Sequence, residues 1–270
     1  MFEVPDLRPS PHAARRDPRE AFRAYARADL RRARILLNSP VGPAARRSHS
    51  PPRPTVPIHR FDAARFATSV ADLSELNAAP LAMVPEVAFV GRSNAGKSST
   101  INALTGRRRL AFSAKTPGRT QLLNFFALVS RDAAGRETTL GYLVDLPGYG
   151  FAKVDADTRA RWDRLVGGYL QTRRMLRGVV LVMDARHPLK PADEELLGWL
   201  AARADAHTLR VHVLLNKADQ LRGDERRAAV ARVERRAADL PMPVSVQLFS
   251  ALKREGVEEL RAAIDEMLAR

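Results

Sequence analysis

One eight-residue segment constrains this chain more than any other: Gly91-Arg-Ser-Asn-Ala-Gly-Lys-Ser98, placed directly after the apolar run Val87–Val90. Two glycines at this spacing, followed by Lys-Ser and set between a strand and a helix, are typical of a phosphate-binding loop. The glycines let backbone N–H groups converge on phosphate oxygens, and the following helix adds its positive end. Lys97 supplies a compact charge between the β- and γ-phosphates, and Ser98 offers a hydroxyl to Mg²⁺. The segment therefore predicts a nucleoside triphosphate site in an α/β fold.

Apolar runs and helical patterns alternate from Phe61 to the C-terminus. Six apolar runs are interpreted as strands: Val87–Val90, Leu122–Val129, Leu140–Val144, Val179–Met183, Val211–Leu215 and Val244–Leu248. Five helices are predicted, near 97–105, 157–176, 191–204, 223–239 and 256–269, with Asp157 as the N-cap of the second. A short polar link joins the second and third strands. We therefore expect an antiparallel hairpin within a mostly parallel three-layer α/β sheet.

The segment Asn216-Lys-Ala-Asp219, which follows a predicted strand, indicates which base is bound. Guanine presents two adjacent donors, N1–H and the N2 amino group, and the Asp219 carboxylate can accept both. Adenine offers no such pair. Asn216 can bridge the base and a loop, and the aliphatic stem of Lys217 can lie over the purine face. The alternative is an Asn-Lys pair that merely closes a strand, but its place downstream of a phosphate-binding loop favours guanine.

Three further segments fit the phosphates and the base. Asp145-Leu-Pro-Gly148 ends a predicted strand, where the aspartate can hold a Mg²⁺-bound water and the Gly148 N–H can approach the γ-phosphate. Thr116-Pro-Gly-Arg-Thr120 is a glycine-containing loop suited to sensing the γ-phosphate, and its spacing favours Thr120 over Thr116 as the Mg²⁺ ligand. Phe249-Ser-Ala251 follows the last predicted strand, where small residues let N–H groups reach the guanine O6. That last motif is weak by itself.

Residues 1–60 differ from the rest of the chain. They hold ten of the 18 prolines and 13 arginines against five acids, and so carry about half of the formal net charge of +15. The proline-rich stretch Pro40–Pro57 has no apolar period, which predicts a disordered or loosely attached arm, although 18–37 could form a basic helix. A start codon assigned too far upstream would give the same pattern. We therefore divide the chain into a 1–60 extension and a 61–270 domain.

The strong positive charge indicates a polyanionic partner, with nucleic acid the first candidate and an anionic membrane surface the second. An arginine-rich composition without any such partner is the alternative. No window reaches the 18 consecutive apolar residues of a membrane span, so stable membrane insertion is not expected. Cysteine is absent, which excludes disulfides and thiolate metal sites and suits a reducing compartment.

Together these segments resemble the EngB family of bacterial GTPases. The resemblance covers about residues 60–270, and the arginine- and proline-rich extension has no counterpart in the compact family pattern. The segments that carry it are Gly91–Ser99, Lys115–Gln121 with Asn124–Phe126, Asp145–Gly150, Arg186–Leu189 and Asn216–Asp219. The resemblance implies a Ras-like fold, Mg²⁺-dependent GTP and GDP binding, and a cytoplasmic location. We expect a monomer that hydrolyses GTP slowly. The resemblance further implies a role in assembling the large ribosomal subunit, with ribosomal RNA or a precursor particle as partner, and a requirement for normal cell division and septation.

The resemblance also assigns site residues by position. The nucleotide-binding residues it implies are Gly91, Arg92, Ser93, Asn94, Ala95, Gly96, Lys97, Ser98, Gly118, Arg119, Thr120, Gln121, Leu122, Asp145, Leu146, Pro147, Gly148, Asn216, Lys217, Ala218, Asp219, Phe249, Ser250 and Ala251. Ser98 and Thr120 are the implied Mg²⁺ ligands, and Lys97, Thr120 and Asn94 the implied catalytic residues. A GTP-liganded RNA-binding or divisome scaffold module that does not hydrolyse GTP is the alternative function.

The residue after Gly148 bears on hydrolysis. Ras-type enzymes place there a glutamine that orients the attacking water, whereas this chain has Tyr149. Another group must then stabilise the transition state, or hydrolysis is very slow. Asn94 is the candidate, because related GTPases with asparagine at this place in the loop use its side chain to hold K⁺ against the phosphates. The alternative is an asparagine that merely fits the backbone of the loop.

Overall fold

The computed structural model describes residues 61–77, 81–112, 122–132, 135–150 and 156–269. The described residues form one seven-stranded sheet in the order β1-β3-β4-β2-β5-β6-β7. The strands are β1 (Arg65–Val70), β2 (Glu86–Gly91), β3 (Leu123–Arg131), β4 (Glu137–Asp145), β5 (Leu176–Asp184), β6 (Arg210–Asn216) and β7 (Val244–Leu248). Only β3 runs against its neighbours, pairing antiparallel with β1 and β4, and the other pairings are parallel. This confirms the mostly parallel sheet with one antiparallel hairpin.

The edge strand β1 was not among the predicted strands. Its outer half, Arg65–Ala67, is exposed, and only Val70 at its inner end is buried. A six-residue segment with so little burial has no apolar run for a sequence pattern to detect. Pairing with β3 holds it in place, and the Ser69 hydroxyl adds a hydrogen bond to Asn124 Oδ1 at 2.7 Å.

The helices pack on both faces of this sheet. They are α1 (Lys97–Thr105), α2 (Ala156–Trp162), a π-helical turn (Asp163–Gly167), α3 (Gly168–Thr172), α4 (Pro191–Ala201), α5 (Gly223–Ala237) and α6 (Val257–Leu268). Short 3₁₀ turns lie at Phe61–Ala63, Leu73–Asn77, Leu81–Met83 and Ala218–Gln220. Among the described residues, no helix is long and apolar enough to cross a membrane.

The helix predicted over 157–176 differs from the prediction at both ends. It begins at Ala156, so Asp157 lies within its first turn and is not its N-cap. It ends at Thr172, and Leu176 opens β5 instead of extending the apolar face of the helix. The π-helical turn is followed by Gly168, where a side chain would clash with Leu73. The helix therefore packs closely against Leu73, whose side-chain end would have to move to admit a Cβ at this position.

The core consists of two apolar clusters, one on each face of the sheet. Side chains alternate along a strand, so Ala88 and Val90 of β2 enter one cluster while Val87 and Phe89 enter the other. Helices α3, α4 and α5 cover the first face, and α1 and α6 cover the second. This is the predicted three-layer arrangement, and it leaves β2 buried along its whole length.

A buried ionic cluster fixes the amino-terminal end of β2. The Arg173 Nε donates to Glu86 Oε1 at 2.9 Å, and the Tyr169 hydroxyl donates to Glu86 Oε2 at 2.7 Å. The same guanidinium donates to the carbonyls of Leu76 and Leu81, at 3.0 and 2.5 Å. Burial raises the pKa of Glu86 above its ordinary value despite the hydrogen bonds from Arg173 and Tyr169. One arginine therefore joins β2, the end of α3 and the 3₁₀ turns before β2.

Arg173→Met tests this cluster. The variant leaves the Glu86 carboxylate buried without its cation, so we expect the free energy of unfolding at pH 8 to fall by about 3–5 kcal/mol. Removing the cation raises the folded-state pKa of Glu86 further above its unfolded value. Stability is then lost as pH rises between those two values, so the deficit is smaller at pH 5 than at pH 8.

Urea unfolding at both pH values makes this measurement. Arg174→Met removes an exposed neighbouring arginine and is the control, with an expected change within about 0.5 kcal/mol. An Arg173→Met deficit of the same size at both pH values would show that the orphaned carboxylate is not its cause.

Candidate functional site

The predicted motifs meet at one edge of the sheet because they follow strands that run in the same direction. The phosphate-binding loop follows β2, Asp145 is the last residue of β4, and Asn216 is the last residue of β6. Phe249 comes directly after β7. In a parallel sheet the carboxyl ends of the strands share an edge, where open α/β sheets bind their ligands. The topology thus gathers motifs that are more than 150 residues apart.

The phosphate-binding loop has the backbone that its sequence predicts. Asn94 and Gly96 adopt left-handed conformations with φ of 66° and 98°. The Ala95 N–H donates to the Arg92 carbonyl at 3.0 Å, and α1 begins at Lys97. Asparagine tolerates positive φ better than most residues, so the backbone alone is a sufficient reason for Asn94. Its side chain is exposed, and a role in holding a cation remains a prediction.

The Asp145–Gly148 segment is joined to the phosphate-binding loop by backbone contacts. The Ser93 N–H donates to the Tyr149 carbonyl at 3.0 Å, and the Tyr149 N–H to the Gly91 carbonyl at 3.4 Å. A Cβ on Gly148 would lie 3.3 Å from the Ser93 nitrogen, closer than most side chains tolerate. Among the described residues the buried Ser93 Oγ has no hydrogen-bond partner. Such a hydroxyl is unusual in a folded protein, and a bound phosphate oxygen could accept its hydrogen.

Lys97 and Asp145 contact each other directly, Nζ to Oδ1, between the phosphate-binding loop and the end of β4. Both side chains are largely buried, so each charge compensates the other. Ser98, in the first turn of α1, is also buried. The structure therefore brings together the predicted phosphate cation, the predicted hydroxyl ligand of Mg²⁺ and the predicted acid.

Asn216 joins the phosphate-binding loop to the loop after β7. Its side-chain Nδ2 donates to the Ala95 carbonyl at 2.8 Å, and its Oδ1 accepts the Ala251 N–H at 3.2 Å. Gly96 makes this approach possible, because a Cβ there would clash with the Asn216 amide. The side chain is buried and has both of its polar ends satisfied. Asn216 therefore fixes the position of two loops at once.

Asp219 lies beside the loop that follows β7. The Ser250 hydroxyl donates to Asp219 Oδ1 at 2.5 Å, and the Ala218 N–H donates to the Phe249 carbonyl at 3.0 Å. Oδ2 has no hydrogen bond to a described residue, and the side chain is half-buried. The hydroxyl of Ser250 thus orients the carboxylate that was predicted to read the guanine edge. Sequence patterns alone did not assign this role to Ser250.

Lys217 is held by a carboxylate that the sequence analysis missed. Its Nζ donates to Asp184 Oδ2 at 2.9 Å and to the Asn94 carbonyl at 2.8 Å. Arg186 also donates to Asp184, at 2.8 and 2.6 Å. Burial alone would raise the pKa of Asp184, but the hydrogen bonds from Arg186 and Lys217 hold it well below its ordinary value. Asp184 is the last residue of β5, and this position at the carboxyl edge was the available signal.

Tyr149 turns away from the phosphate-binding loop. Its hydroxyl donates to Asp193 Oδ1 at 2.6 Å, while Asp193 Oδ2 accepts the Lys190 N–H at 2.9 Å at the start of α4. Burial raises the pKa of the Tyr149 hydroxyl well above its ordinary value, and it also raises the pKa of Asp193. The ring packs edge-on against Trp162, at 6.0 Å between centroids. The phenol that replaces a water-orienting glutamine is therefore committed to a contact with α4.

The remaining predicted residues divide into two groups. Thr116 and four predicted binding residues, Gly118, Arg119, Thr120 and Gln121, lie outside the described residues. Leu122 precedes β3 and is half-buried, and Leu146 donates its N–H to the Phe89 carbonyl at 3.0 Å. The Pro147 carbonyl accepts the Trp162 Nε1–H at 3.0 Å.

The arrangement also fits Mg²⁺. In the described part of the chain there is no cluster of three or more His, Cys, Asp or Glu side chains that could hold a metal ion. Mg²⁺ beside a nucleotide does not need one, because it keeps several waters and takes one or two protein oxygens together with phosphate oxygens. The buried Ser98 hydroxyl and the Asp145 carboxylate are donors of that kind.

The fold and these loops define a P-loop GTP-binding protein. A family model described as "50S ribosome-binding GTPase" (MMR_HSR1) matches residues 86–217. The chain is 50% identical over 206 residues to the probable GTP-binding protein EngB of Thiobacillus denitrificans, covering 76% of this chain and 91% of that protein. It is 44% identical over 212 residues to the EngB of Aliivibrio fischeri, with 78% and 91% covered. The chain belongs to the EngB family of GTP-binding proteins.

Solved structures that align with this chain include a crystal structure of a probable GTP-binding protein EngB. That structure is 22% identical to this chain, with a TM-score of 0.48, and the alignment covers 68% of this chain and 98% of the other. The GTP-binding protein of Sulfolobus solfataricus in complex with GDP aligns over 68% of this chain and 52% of its own length, with a TM-score of 0.46.

Tyr149→Phe tests the contact between the Asp145–Gly148 segment and α4. The variant removes one donor from a buried carboxylate, so we expect the free energy of unfolding at pH 8 to fall by about 1–3 kcal/mol. Losing that donor raises the folded-state pKa of Asp193 further, which makes the deficit smaller at pH 5.

A double-mutant cycle with Asp193→Ala, followed by urea unfolding, separates this pair from the other effects of each change. We expect a coupling energy of about 0.5–3 kcal/mol between Tyr149 and Asp193. Additive losses would mean that the hydrogen bond does not connect the two elements energetically.

Proposed function

We propose that this protein is a Mg²⁺-dependent GTPase that hydrolyses GTP slowly and acts as a switch in assembly of the large ribosomal subunit. The observation that carries the proposal is the pair of hydrogen bonds made by the Asn216 side chain. They join the phosphate-binding loop to the loop after β7. Asp219, held by Ser250, lies beside that junction. A phosphate site and an acceptor for a base are thereby built as one unit, as a whole nucleotide requires.

Guanine is the base that this pocket fits. Asp219 keeps Oδ2 available while Ser250 occupies Oδ1, and Ser250 can rotate its hydroxyl toward another acceptor when a base is bound. The Lys217 Nζ is held by the Asn94 carbonyl and Asp184, and the aliphatic stem behind it is the proposed apolar contact for a purine ring. Phe249, Ser250 and Ala251 are proposed to reach the guanine O6 with a backbone N–H. Their N–H groups donate to the Leu215 carbonyl, the Glu255 carbonyl and Asn216 Oδ1, so a contact to O6 requires one of these bonds to be exchanged.

The phosphate end of the proposed site is formed by the loop and by the Lys97–Asp145 pair. A triphosphate would give Lys97 an anionic partner, and Asp145 would then hold a water of the metal ion. Ser98 and Thr120 are the proposed protein ligands of Mg²⁺, which neutralises charge on the β- and γ-phosphates when it is bound. The unsatisfied Ser93 hydroxyl and the Gly148 N–H are the proposed contacts of the γ-phosphate.

Slow hydrolysis follows from Tyr149. Its hydroxyl bonds Asp193, so this residue does not orient an attacking water. Lys97 and Thr120 remain as proposed contributors to the transition state, and the exposed Asn94 side chain is the proposed ligand of K⁺. The bond between Tyr149 and Asp193 is also compatible with a second function. In that function, bound GTP only stabilises an RNA-binding or divisome scaffold module. Burst and steady-state phosphate release distinguish the two, because the second function predicts negligible turnover.

The ribosomal role rests on two supports. The matching family model is described as a 50S ribosome-binding GTPase, and the chain carries a formal net charge of +15, which suits ribosomal RNA. We propose that the protein acts as a monomer in the cytoplasm, that it docks on ribosomal RNA or a large-subunit precursor, and that cell division and septation depend on this activity. The basic extension 1–60 is proposed to add salt-sensitive affinity for RNA.

Sucrose-gradient sedimentation with ribosomal particles tests the proposal directly. The full-length protein is mixed with large-subunit precursors in the presence of GDP or of a non-hydrolysable GTP analogue. We expect co-sedimentation with the precursor in one nucleotide state and clear weakening in the other. Failure to co-sediment in either state, at low as well as moderate salt, would reject the ribosomal role.

Asp219→Asn tests base recognition. The change replaces an acceptor with a donor that faces the guanine N–H groups, so we expect GTP affinity to fall about a hundredfold and preference to shift toward xanthosine triphosphate. Ser250→Ala removes only the orienting hydroxyl, so its loss of GTP affinity should be several-fold smaller than that of Asp219→Asn. Asp224→Asn removes an exposed charge nearby and serves as the control. Unchanged GTP affinity of Asp219→Asn in a fluorescent-nucleotide titration would reject the assignment.

Asn94→Ala tests the proposed cation. GTP hydrolysis is measured in K⁺ and in Na⁺ at equal ionic strength, for the wild type and the variant. We expect faster hydrolysis in K⁺ for the wild type and no such preference for Asn94→Ala, because the side-chain carbonyl that holds the ion is lost. Asn94→Gly, which keeps the left-handed backbone accessible, separates loss of the ligand from backbone strain. A wild-type rate that is indifferent to the cation would exclude this mechanism.

A further inference from the structure

Two phenylalanine rings stand out on the surface of this domain. Phe66 is 55% exposed and Phe112 is 73% exposed, and they are the only exposed aromatic side chains among the described residues. Between the end of α1 and Phe112 lie three consecutive exposed arginines, Arg107, Arg108 and Arg109. We name these five residues the arginine–phenylalanine surface. Exposed aromatic rings beside a run of arginines need an explanation, because both phenylalanines remain more than half exposed to solvent.

One hydrogen bond and packing against a shared apolar cluster connect the two halves of this surface. The Arg107 guanidinium donates to the carbonyl of Ala64, which lies two residues before Phe66. Phe66 packs edge-on against Phe126, at 6.2 Å between centroids. Phe126 belongs to the same apolar cluster as Ala111, the residue before Phe112. Phe66 and the arginine turn therefore border one face of the domain, the face covered by α1.

The turn that carries the arginines has a fixed shape. The Asn102 Oδ1 accepts the N–H groups of Leu110 and Ala111, each at 2.9 Å, and the Asn102 Nδ2 donates to the Ala111 carbonyl at 2.8 Å. Three hydrogen bonds from one side chain of α1 hold this short turn against the end of the helix. A surface that is ordered before binding loses less conformational entropy when a ligand binds.

The charge of this surface is poorly compensated. Arg108 and Arg109 form no ion pair with any described residue, whereas many other arginines of the domain do. Asp62 is the only acid within the segments 61–66 and 106–112. An alternative explanation is that these cations stabilise the dipole of α1 at its C-terminus and have no other role. That explanation suffices for Arg107, which bonds a carbonyl, but it does not explain the exposed ring of Phe112.

We propose that the arginine–phenylalanine surface binds single-stranded RNA, with backbone phosphates on Arg108 and Arg109 and unstacked bases on Phe66 and Phe112. Exposed aromatic rings give every base a stacking face, and arginine pairs with phosphate in a bidentate manner. Residues 113–121, which include Thr120, follow Phe112 directly in the chain. The identification of ribosomal RNA as the natural ligand rests on the proposed function. The inference that this surface binds single-stranded RNA does not depend on it.

A membrane surface fits these residues less well. A segment that inserts into a bilayer interface presents a continuous apolar face. Here the residues between the arginines and Phe112 turn inward, since Leu110 packs against the α1-side cluster and Ala111 is buried within it. Two separate rings remain exposed, with charge between them. That pattern suits a chain of alternating phosphates and bases.

Binding is measured by fluorescence anisotropy with the full chain, a labelled single-stranded RNA of about twelve nucleotides and the matching duplex. The double variant Arg108→Ala/Arg109→Ala should weaken binding and reduce the slope of log K against log salt by about 1.4, since each lost phosphate contact on a single strand removes about 0.7. Phe66→Ala/Phe112→Ala should weaken single-strand binding at least about fivefold while leaving the salt slope unchanged.

Two matched controls accompany these variants. Arg232→Ala/Arg235→Ala removes two exposed arginines from α5, which lies on the opposite face of the sheet, and Met83→Ala removes an exposed apolar side chain. Both controls should change affinity less than about twofold, in keeping with the small effects of exposed sites outside a contact. Equal losses from the α5 pair and from Arg108→Ala/Arg109→Ala would overturn the proposal, because the charge would then act without a specific surface. The two surface variants are also tested with phosphatidylglycerol vesicles. Variants that lose vesicle binding while their RNA binding is unchanged would likewise overturn the proposal.

Sedimentation with large-subunit precursors separates this proposal from the proposed function. If the wild type co-sediments and both surface variants co-sediment equally, the surface is not the docking site, although the ribosomal role stands. If the wild type binds single-stranded RNA through this surface but does not co-sediment, the ribosomal role fails and the RNA-binding surface stands. Loss of co-sedimentation by the two surface variants alone supports both.

Discussion

The site depends on one buried amide. Asn216 stands at the end of β6 and satisfies the Ala95 carbonyl on one side and the Ala251 N–H on the other. Neither loop belongs to β6. Lys217 bonds the Asn94 carbonyl and Ala218 bonds the Phe249 carbonyl, one loop each, whereas Asn216 bonds both loops with one side chain. Gly96 is the necessary counterpart, since a Cβ would occupy the space of the amide.

Most strands of the sheet could be predicted from the sequence, whereas most of the side-chain pairs that connect them could not. The parallel strands were predictable because most are buried apolar runs and β7 alternates apolar and polar residues. The motif loops followed because they lie at strand ends. The edge strand β1 was not predictable, since exposed residues such as Phe66 carry no period. The Glu86–Arg173 pair was also hidden, because an acid next to a strand and an arginine after a helix look like surface residues until the sheet brings them together.

Side-chain partners across loops were the other limit. Lys190 to Asp193 has the spacing of a helix capping box, and this local pattern is visible in the sequence. The pairing of Asp193 with Tyr149 is not, because it joins residues that only the order β4-β2-β5 places side by side. The same is true of Asp184, the last residue of β5, and Lys217, the residue directly after the neighbouring strand β6. Local patterns predict elements, whereas contacts between loops depend on the strand order.

Both ends of β2 are fixed, so any nucleotide-dependent change would have to occur in the loops. At its amino-terminal end Glu86 is bonded by Arg173 and Tyr169, and at its carboxyl end Gly91 accepts the Tyr149 N–H. Every residue between them is buried, so moving the strand would break the core on both faces. Tyr149 is different, because its backbone contacts the phosphate-binding loop while its side chain contacts α4. A shift of the Gly148–Tyr149 backbone would therefore displace the start of α4 before it could affect the sheet. This makes α4 the element through which a change at the γ-phosphate would reach the opposite face of the domain from α1.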